Sequence, residues 1–531
     1  MKKDDKKENK ELKFVEPEVK PFLHESHKLP KTRREFIAHG FIGISASVVL
    51  PSFASMLVTQ NSAFAASAAC ELPTFQGGLP YICIDVGGGM NIAGSNAMVG
   101  IVDGGEHQED VSPVGYSSSD YIRLGITPSE HPSQPGRLEG KYGLKFHRAS
   151  GILEGMNSVL DGQTMPNGRP VADGVDGLVF CTRTSDDTAT NQINTVFMAN
   201  KAGAQGELVQ LIGNSATDTG ARSAAPSDQV NLALRPTRVR SNGDASGLLS
   251  LGDQLSGNSY LRSSDSGGQA RVQKFMDRIS KMSKTRLDDL AQKGSIGQIQ
   301  EVLNCSFDNA KQLFQVYSAE QLNPANDPTV MNVFNGSSEQ VASVAKLVID
   351  KIAGSGTITI GGGDYHGGMV TNTHAKDVQV GRAIGQCILL AKEKGENLAI
   401  HLYTDGGVAA DSGGASQPAN VLGLGQIEKV RWTGDSGTRS AALLLFYKHD
   451  HDGSSLVRAN GNGPRRQVGN FVKGGGVQLN TVIGNSTVNL WKAIMLNYLA
   501  AQGREGDFED IFGIGSLPPD YESLIRMKKI A

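Results

Sequence analysis

Asp364 and His366 stand one residue apart inside Gly361-Gly-Gly-Asp-Tyr-His-Gly-Gly368. An Asp-x-His pair at a strand end can present a carboxylate oxygen and an imidazole nitrogen to one ion. Asp405 follows the apolar run Leu398–Tyr403 and precedes Gly406-Gly407, and Asp85 closes Tyr81-Ile-Cys-Ile before Val86-Gly-Gly-Gly89. Carboxylates and imidazole together suit zinc, manganese or a similar divalent ion. Such an ion activates water or clamps a phosphate or sulfate oxygen. Gly-Asp and Asp-Gly are also ordinary turn dipeptides. For Asp405 the turn and the ligand stand side by side, and Asp85 reads first as a turn or structural residue.

A second cluster, Lys448-His449-Asp450-His451-Asp452-Gly453, has metal-ligating composition. It also follows an apolar run and ends in Asp-Gly, as a solvated hairpin turn does. Alternate residues of an extended segment point to opposite faces, which favours the turn for His449 and His451. His374 reads as a helix-surface residue. Ser95 follows the first glycine turn, but no G-x-S-x-G elbow frames it. Gly87-Gly-Gly89 is no dinucleotide fingerprint, since G-x-G-x-x-G is absent. The nucleophile is unidentified.

These residues need strands ending at one edge. Leu79–Asp85, Val175–Cys181, Thr357–Ile360, Leu398–Tyr403 and Ala441–Tyr447 are short apolar runs that read as buried strands. Ser337-Ser-Glu-Gln340 has capping-box spacing, Val341, Val344, Ala345, Val348 and Ile352 follow at helical spacing, and Gly354 is read as the stop. Val380, Ile384, Cys387, Ile388 and Ala391 mark a second helix. Residues 143–160 read as a helix, and 190–204 as a polar one. The alternation predicts an α/β fold with a mainly parallel central sheet and helices on both faces. In such sheets ligands bind beyond the carboxyl ends of the strands. A Ser/Gly-rich and helical insertion is expected around 236–325.

Residues 1–38 hold 11 Lys/Arg and 8 Asp/Glu, and residues 39–68 hold no charge. Thr32-Arg33-Arg34-Glu35-Phe36-Ile37 resembles the twin-arginine export signal. The apolar stretch after it, broken by Gly40, Gly43 and Pro51, is weaker than a membrane-spanning helix needs. Ala63-Phe-Ala65 and Ala66-Ser-Ala68 offer small-x-small cleavage patterns. The expectation is a signal over 1–68 with a long charged leader, then one α/β domain over 69–531. The resemblance implies export in folded form by the twin-arginine translocase, a periplasmic or extracellular location and no stable membrane span after cleavage.

The whole chain has 531 residues, 51 Lys plus Arg against 54 Asp plus Glu, and 65 Gly. That balance excludes a polybasic nucleic-acid binder, and the apolar share excludes a disordered chain. The glycines have no three-residue period, which excludes collagen. Cys70, Cys83, Cys181, Cys305 and Cys387 form no C-x-x-C, so a thiolate zinc site is not expected.

Taken in order, the motifs resemble the Tat-exported bacterial family called domain of unknown function 1501, grouped with the alkaline phosphatase and sulfatase superfamily. The resemblance rests on five strings: the twin-arginine leader, Ile82–Gly89, Gly362-Gly-Asp-Tyr-His366 after a helix and a strand, Thr404-Asp-Gly406, and Val468-Gly-Asn-Phe-Val-Lys-Gly-Gly475. It implies an alkaline phosphatase-like fold with Asp364, His366 and Asp405 as metal ligands. This chain departs from the family at three places. Met90 or Asn91 stands where the family has Asp. Asp405-Gly-Gly-Val408 stands for Glu-Phe-Gly-Arg, and Gly437-Thr-Arg-Ser440 for Gly-Thr-Asp-His. Asn91, Asp85, His449 and His451 are the further metal candidates. The implied activity is metal-dependent hydrolysis of a phosphate or sulfate ester on a small molecule or polymer. The alternative is a catalytically degenerate relative that binds or assembles at a surface. An exported oxidoreductase finds no cofactor fingerprint.

Overall fold

Short apolar runs bounded by glycine build the centre of this molecule. The computed structural model describes residues 78–100, 118–184, 194–213, 236–248, 278, 281, 317–361, 365, 369–404, 406–459 and 464–530. Its strands are β1 (Tyr81–Val86), β2 (Leu138–Lys141), β3 (Leu144–His147), β4 (Val175–Cys181), β5 (Val209–Gly213), β6 (Thr237–Arg238), β7 (Ala353–Thr359), β8 (Leu398–Thr404), β9 (Val408–Ala410), β10 (Ser416–Val421), β11 (Gly425–Val430), β12 (Trp432–Asp435), β13 (Ala441–Tyr447) and β14 (Gln467–Val468). The helices that matter below are α1 (Gly151–Leu160), α2 (Val196–Lys201), α3 (Glu339–Ile349), α4 (Val370–Lys394) and α5 (Thr487–Ala501).

Eight strands form the central sheet in the order β14-β4-β13-β8-β1-β7-β5-β6. β13 runs antiparallel to β4 and β8, and the other pairings are parallel. The fold is therefore mixed α/β around a mostly parallel sheet. Strand side chains alternate between two faces. Ile82 and Ile84 of β1 and Ile400 and Leu402 of β8 join the apolar cluster that holds α1, α3 and α4. Tyr81, Cys83, Ala399 and Tyr403 join the cluster that holds α2 and α5. A parallel strand covered on both faces has no wet side, which is why these runs are continuously apolar.

One close helix pairing lies on the sheet's first face. α4 is flanked by Met369 at its N-cap and by Gly395 at φ 71 after its last turn, the left-handed cap that glycine adopts without penalty. α1 crosses it through glycines. A Cβ on Gly381 would lie 2.0 Å from the Ile152 carbonyl oxygen, and one on Gly155 would lie 2.2 Å from that of Val378. Backbones this close leave no room for a side chain, so α1 and α4 share one contact surface.

Local expectations differ from the structure in several places. The stretch 143–160 splits into β3 and α1, because Ser150 caps a new helix by accepting from the Leu153 amide at 3.1 Å. α3 stops at Ile349, with Lys351 left-handed at φ 59. Gly354 lies inside β7, where a Cβ would stand 2.2 Å from the Ala204 carbonyl oxygen. α2 is buried rather than polar. Between β8 and β13 the chain makes two antiparallel pairs, β9 with β12 and β10 with β11. Of the insertion around 236–325, the described part includes β6 and a short helix, Asn242–Gly247. Cys83, Cys181 and Cys387 are buried free thiols, and Cys70 and Cys305 lie outside the described residues. The described residues fall in the second of two compact units, Val48–Ala531. Among them no helix is long and apolar enough to cross a membrane. Residues 1–68 lie outside them.

Candidate functional site

The three central strands bring their carboxyl ends together. Asp85 on β1 pairs with Thr359 of β7 on one side and Tyr403 of β8 on the other, and Val86 pairs with Thr404. Adjacent strands lie about 4.8 Å apart, so β7 and β8 flank β1 within roughly 10 Å. Asp364 and His366 follow β7 in the chain and Asp405 follows β8. These three residues lie outside the described residues. Asp85 itself is fully buried, and its backbone oxygen accepts from the Ile360 amide at 2.9 Å.

The turns leaving β1 and β8 are tied to each other. The Met90 amide donates to Thr404 Oγ1 at 3.0 Å, and that hydroxyl donates to the Gly406 carbonyl at 2.9 Å. Gly88 and Gly89 take φ 91 and 83, a region that side chains disfavour and glycine accepts. The late Gly474-Gly475 string packs on the short helix Ser118–Arg123: the Gly474 amide donates to Asp120 Oδ1 at 2.7 Å, and Gly475 lies against Arg123.

Tyr365 is the described residue between Asp364 and His366, and it is anchored. Its ring is buried and tilts against Trp432, with centroids 6.0 Å apart. Its hydroxyl meets Asp377 Oδ1 in a short hydrogen bond and lies 3.2 Å from the Thr373 carbonyl oxygen. Burial pushes the Asp377 carboxyl up to about 6, against the pull of Lys429. Beside it runs a second chain of partners. Lys429 Nζ donates to His374 Nδ1 at 2.9 Å, and His374 Nε2 lies 3.0 Å from Glu154 Oε2. Burial, then Lys429, holds His374 down at about 3, so the imidazole is neutral near pH 7. Its Nε2–H then donates to Glu154, an assignment made from its partners. Burial also lowers Lys429 and raises Glu154. This network joins α1, α4, β11 and the Tyr365 segment. His374, expected on a helix surface, is 5% exposed and sits in the middle of it.

The other candidates are placed as follows. Asn91 is buried and its side-chain amide bonds Ser95 Oγ, while its backbone oxygen accepts from Asn96 Nδ2 at 2.6 Å. His449 and His451 follow β13, the antiparallel strand, and so lie at the opposite edge of the sheet. There Tyr447 pairs with Leu398, the first residue of β8. A seven-residue strand spans about 20 Å, which separates both histidines from the ends of β7 and β8. His451 Nε2 donates to the Ser454 carbonyl at 2.5 Å, Asp450 is left-handed at φ 54, and the Asn167 amide donates to Asp450 Oδ1 at 3.2 Å. The segment is a hydrogen-bonded turn. Among the described residues no three of His, Cys, Asp or Glu gather as a set that could hold a metal ion.

Three environments were not legible in the sequence. Tyr365 was visible only as the spacer of Asp-x-His. Arg439 is partly buried; burial, then Arg123, lowers its pKa, and its buried Nε has no hydrogen-bond partner among the described residues. Cys83 and His401 sit side by side on β1 and β8, with Sγ and Nδ1 3.8 Å apart and Thr195 Oγ1 2.9 Å from that nitrogen. Burial pushes the thiol up to about 12 and holds the imidazole down at about 3. The pair is buried on both residues and packs within the sheet. Compared with protein-family models, with curated proteins and with solved structures, the chain matches none.

Proposed function

We propose that this chain is an exported, metal-dependent hydrolase of phosphate or sulfate esters with an alkaline phosphatase-like fold. In this reading residues 1–68 are removed and 69–531 work in the periplasm or outside the cell. The observation that carries it is the register of β1 with β7 and β8, which starts both ligand-bearing segments at one sheet edge. Asp364, His366 and Asp405 are the proposed ligands, a set of two carboxylates and one imidazole. With the buried Asp85 carboxylate on the strand between, the donor chemistry fits zinc or manganese. When bound, the ion supplies Lewis-acid polarisation of the ester oxygens. The chain's own part is positioning. Tyr365 fixes the backbone between two ligands, Thr404 fixes the turn that follows β8, and Arg439 adds positive charge toward an anionic ester.

Metal analysis and hydrolysis are measured together on the mature protein purified without chelator, using p-nitrophenyl phosphate and p-nitrophenyl sulfate. About one ion per chain and chelator-sensitive turnover are expected. A metal-free preparation that cleaves neither ester after incubation with zinc and manganese would overturn the reading.

Arg439 favours a second reading. A guanidinium where the resembled family places an acid repels a cation, as expected of a descendant that binds anionic ligands without cleaving them. Asp364→Ala separates the two: it abolishes metal retention in the hydrolase and changes nothing in the binder.

A further inference from the structure

We infer that Arg123 and Arg439 together hold a doubly charged oxyanion at the carboxyl edge of the central sheet. Register places Arg439 there. β13 runs against β8 with Leu443 opposite Leu402, so the start of β13 lies at the end of β8. Arg439 closes the turn Gly437–Arg439 just ahead of that start. Three hydrogen bonds fix the turn. The Ser436 amide donates to the Gly407 carbonyl at 2.8 Å, the Thr184 amide to the Gly437 carbonyl at 3.1 Å, and Thr184 Oγ1 to Ser440 Oγ at 2.6 Å. A Cβ on Gly407 would stand 2.6 Å from the Arg439 carbonyl carbon, so the loop leaving β8 packs directly on this turn. Arg123 comes from the end of the short helix Ser118–Arg123. Its Nη1 reaches the Gly474 carbonyl at 3.5 Å, and a Cβ on Gly476 would stand 3.8 Å from the Thr438 carbonyl oxygen. The glycine string thus bridges the helix and the turn.

Charge decides the ligand. Like charges placed together repel, and burial makes an unpaired ion costlier still. The buried Arg439 Nε has no hydrogen-bond partner, and neither arginine is ion-paired among the described residues. Burial, then Arg123, lowers the Arg439 pKa, so the second arginine adds to the cost. The acids of the flanking elements face other groups. Asp120 Oδ1 accepts from the Gly474 amide at 2.7 Å, and Asp435 Oδ1 lies 3.5 Å from where a Cβ on Gly89 would stand. Another pair of cations shows the contrast: Lys346 and Lys394 are matched by Asp327 and Asp350 at 2.7–3.2 Å. Two guanidinium groups without a carboxylate match an anion of two charges, and their forks offer it several N–H donors.

This inference deepens the hydrolase reading by giving the charge of the group the site accepts. It rests on that reading for the ester but not for binding. The test therefore removes the metal, with a chelator that carries no charge of its own. The full-length chain in excess 1,10-phenanthroline is titrated by calorimetry with p-nitrophenyl phosphate, p-nitrophenyl sulfate and p-nitrophenyl glucoside. At about pH 8, well above the second phosphate pKa, these are a dianion, a monoanion and a neutral molecule. The phosphate is expected to bind roughly tenfold more tightly than the sulfate, the sulfate more tightly than the glucoside, and both anions more weakly as salt rises. Arg123→Gln and Arg439→Gln should each lower phosphate affinity about threefold to tenfold, with Arg439→Lys retaining more. Arg169→Gln, exposed and paired with Asp173, controls for net charge and should leave it unchanged. Equal affinity for the phosphate and the sulfate, or phosphate binding untouched in the Arg123→Gln/Arg439→Gln double variant, overturns the inference. Phosphate binding that needs both arginines, with no turnover on added zinc or manganese, keeps the site and sinks the hydrolase. Metal-dependent turnover with binding that ignores both arginines does the reverse.

Discussion

Tyr365 and Asp377 share a buried hydrogen bond, and the tyrosine is the residue between the proposed ligands Asp364 and His366. One hydroxyl proton faces two oxygens, Asp377 Oδ1 and the Thr373 carbonyl. A protonated Asp377 satisfies both, by donating to the tyrosine oxygen while the tyrosine donates to Thr373. Tyr365 is thus held by a carboxyl group that burial pushes up to about 6.

Tyr365→Phe keeps the packing against Trp432 and removes the hydroxyl. It removes the one donor that the Thr373 carbonyl and Asp377 Oδ1 share, which costs about 1–3 kcal/mol. Urea unfolding measures that loss. Under the metal reading the same variant should also bind zinc roughly tenfold more weakly, since groups that orient ligands carry that much. Unchanged stability and unchanged zinc affinity would show that Tyr365 holds nothing.

Asp377 gives a pH dependence with a definite sign. Its folded pKa is raised from 3.8 to about 6, so the folded state binds more protons across that window. The Asp377 contribution is fully present below pH 3.8 and is lost as pH rises toward 6. The stability of the native chain relative to Asp377→Asn should fall by the order of 2 kcal/mol between pH 4 and 7, read from denaturant midpoints at each pH. A difference that stays flat, or rises, contradicts the assignment.

Lys429→Met tests the second arm of the network. Burial is the larger cause of the low His374 pKa, and Lys429 adds to it. Removing the ammonium should raise the His374 pKa while leaving it below 6.5, as followed by NMR titration of the ring protons. A fall, or no movement, means Lys429 does not act on that ring.

The strands were legible in the sequence because each is a short apolar run; β1, β4, β8 and β13 fall where such runs lie. α4 was legible as a 3.6-residue apolar stripe from Val380 to Ala391. Strand direction was not, since a period of two carries no sense of polarity. β13 runs against its neighbours, and that alone moves His449 and His451 to the far edge. His374 was misplaced because the ribbon β10–β11, distant in sequence, covers it with Lys429. Arg439 is a similar case: the charge that acts on it is Arg123, far away in sequence.

The edge assignment makes His449 and His451 a direct control. The double variant His449→Ala/His451→Ala loses turn contacts such as the His451 bond to Ser454, with a stability cost of about 1 kcal/mol. Metal content measured by mass spectrometry should equal that of the parent chain. A halved or lost metal content would place the ion at the turn instead.

Anomalous diffraction from crystals of the mature protein, collected at the zinc and manganese edges without added metal, tests the metal site most directly. The expected result is one peak beyond the ends of β1, β7 and β8, about 2.0–2.2 Å from oxygens of Asp364 and Asp405 and a nitrogen of His366. A peak elsewhere, or these three side chains pointing to different places in a metal-soaked crystal, would contradict it.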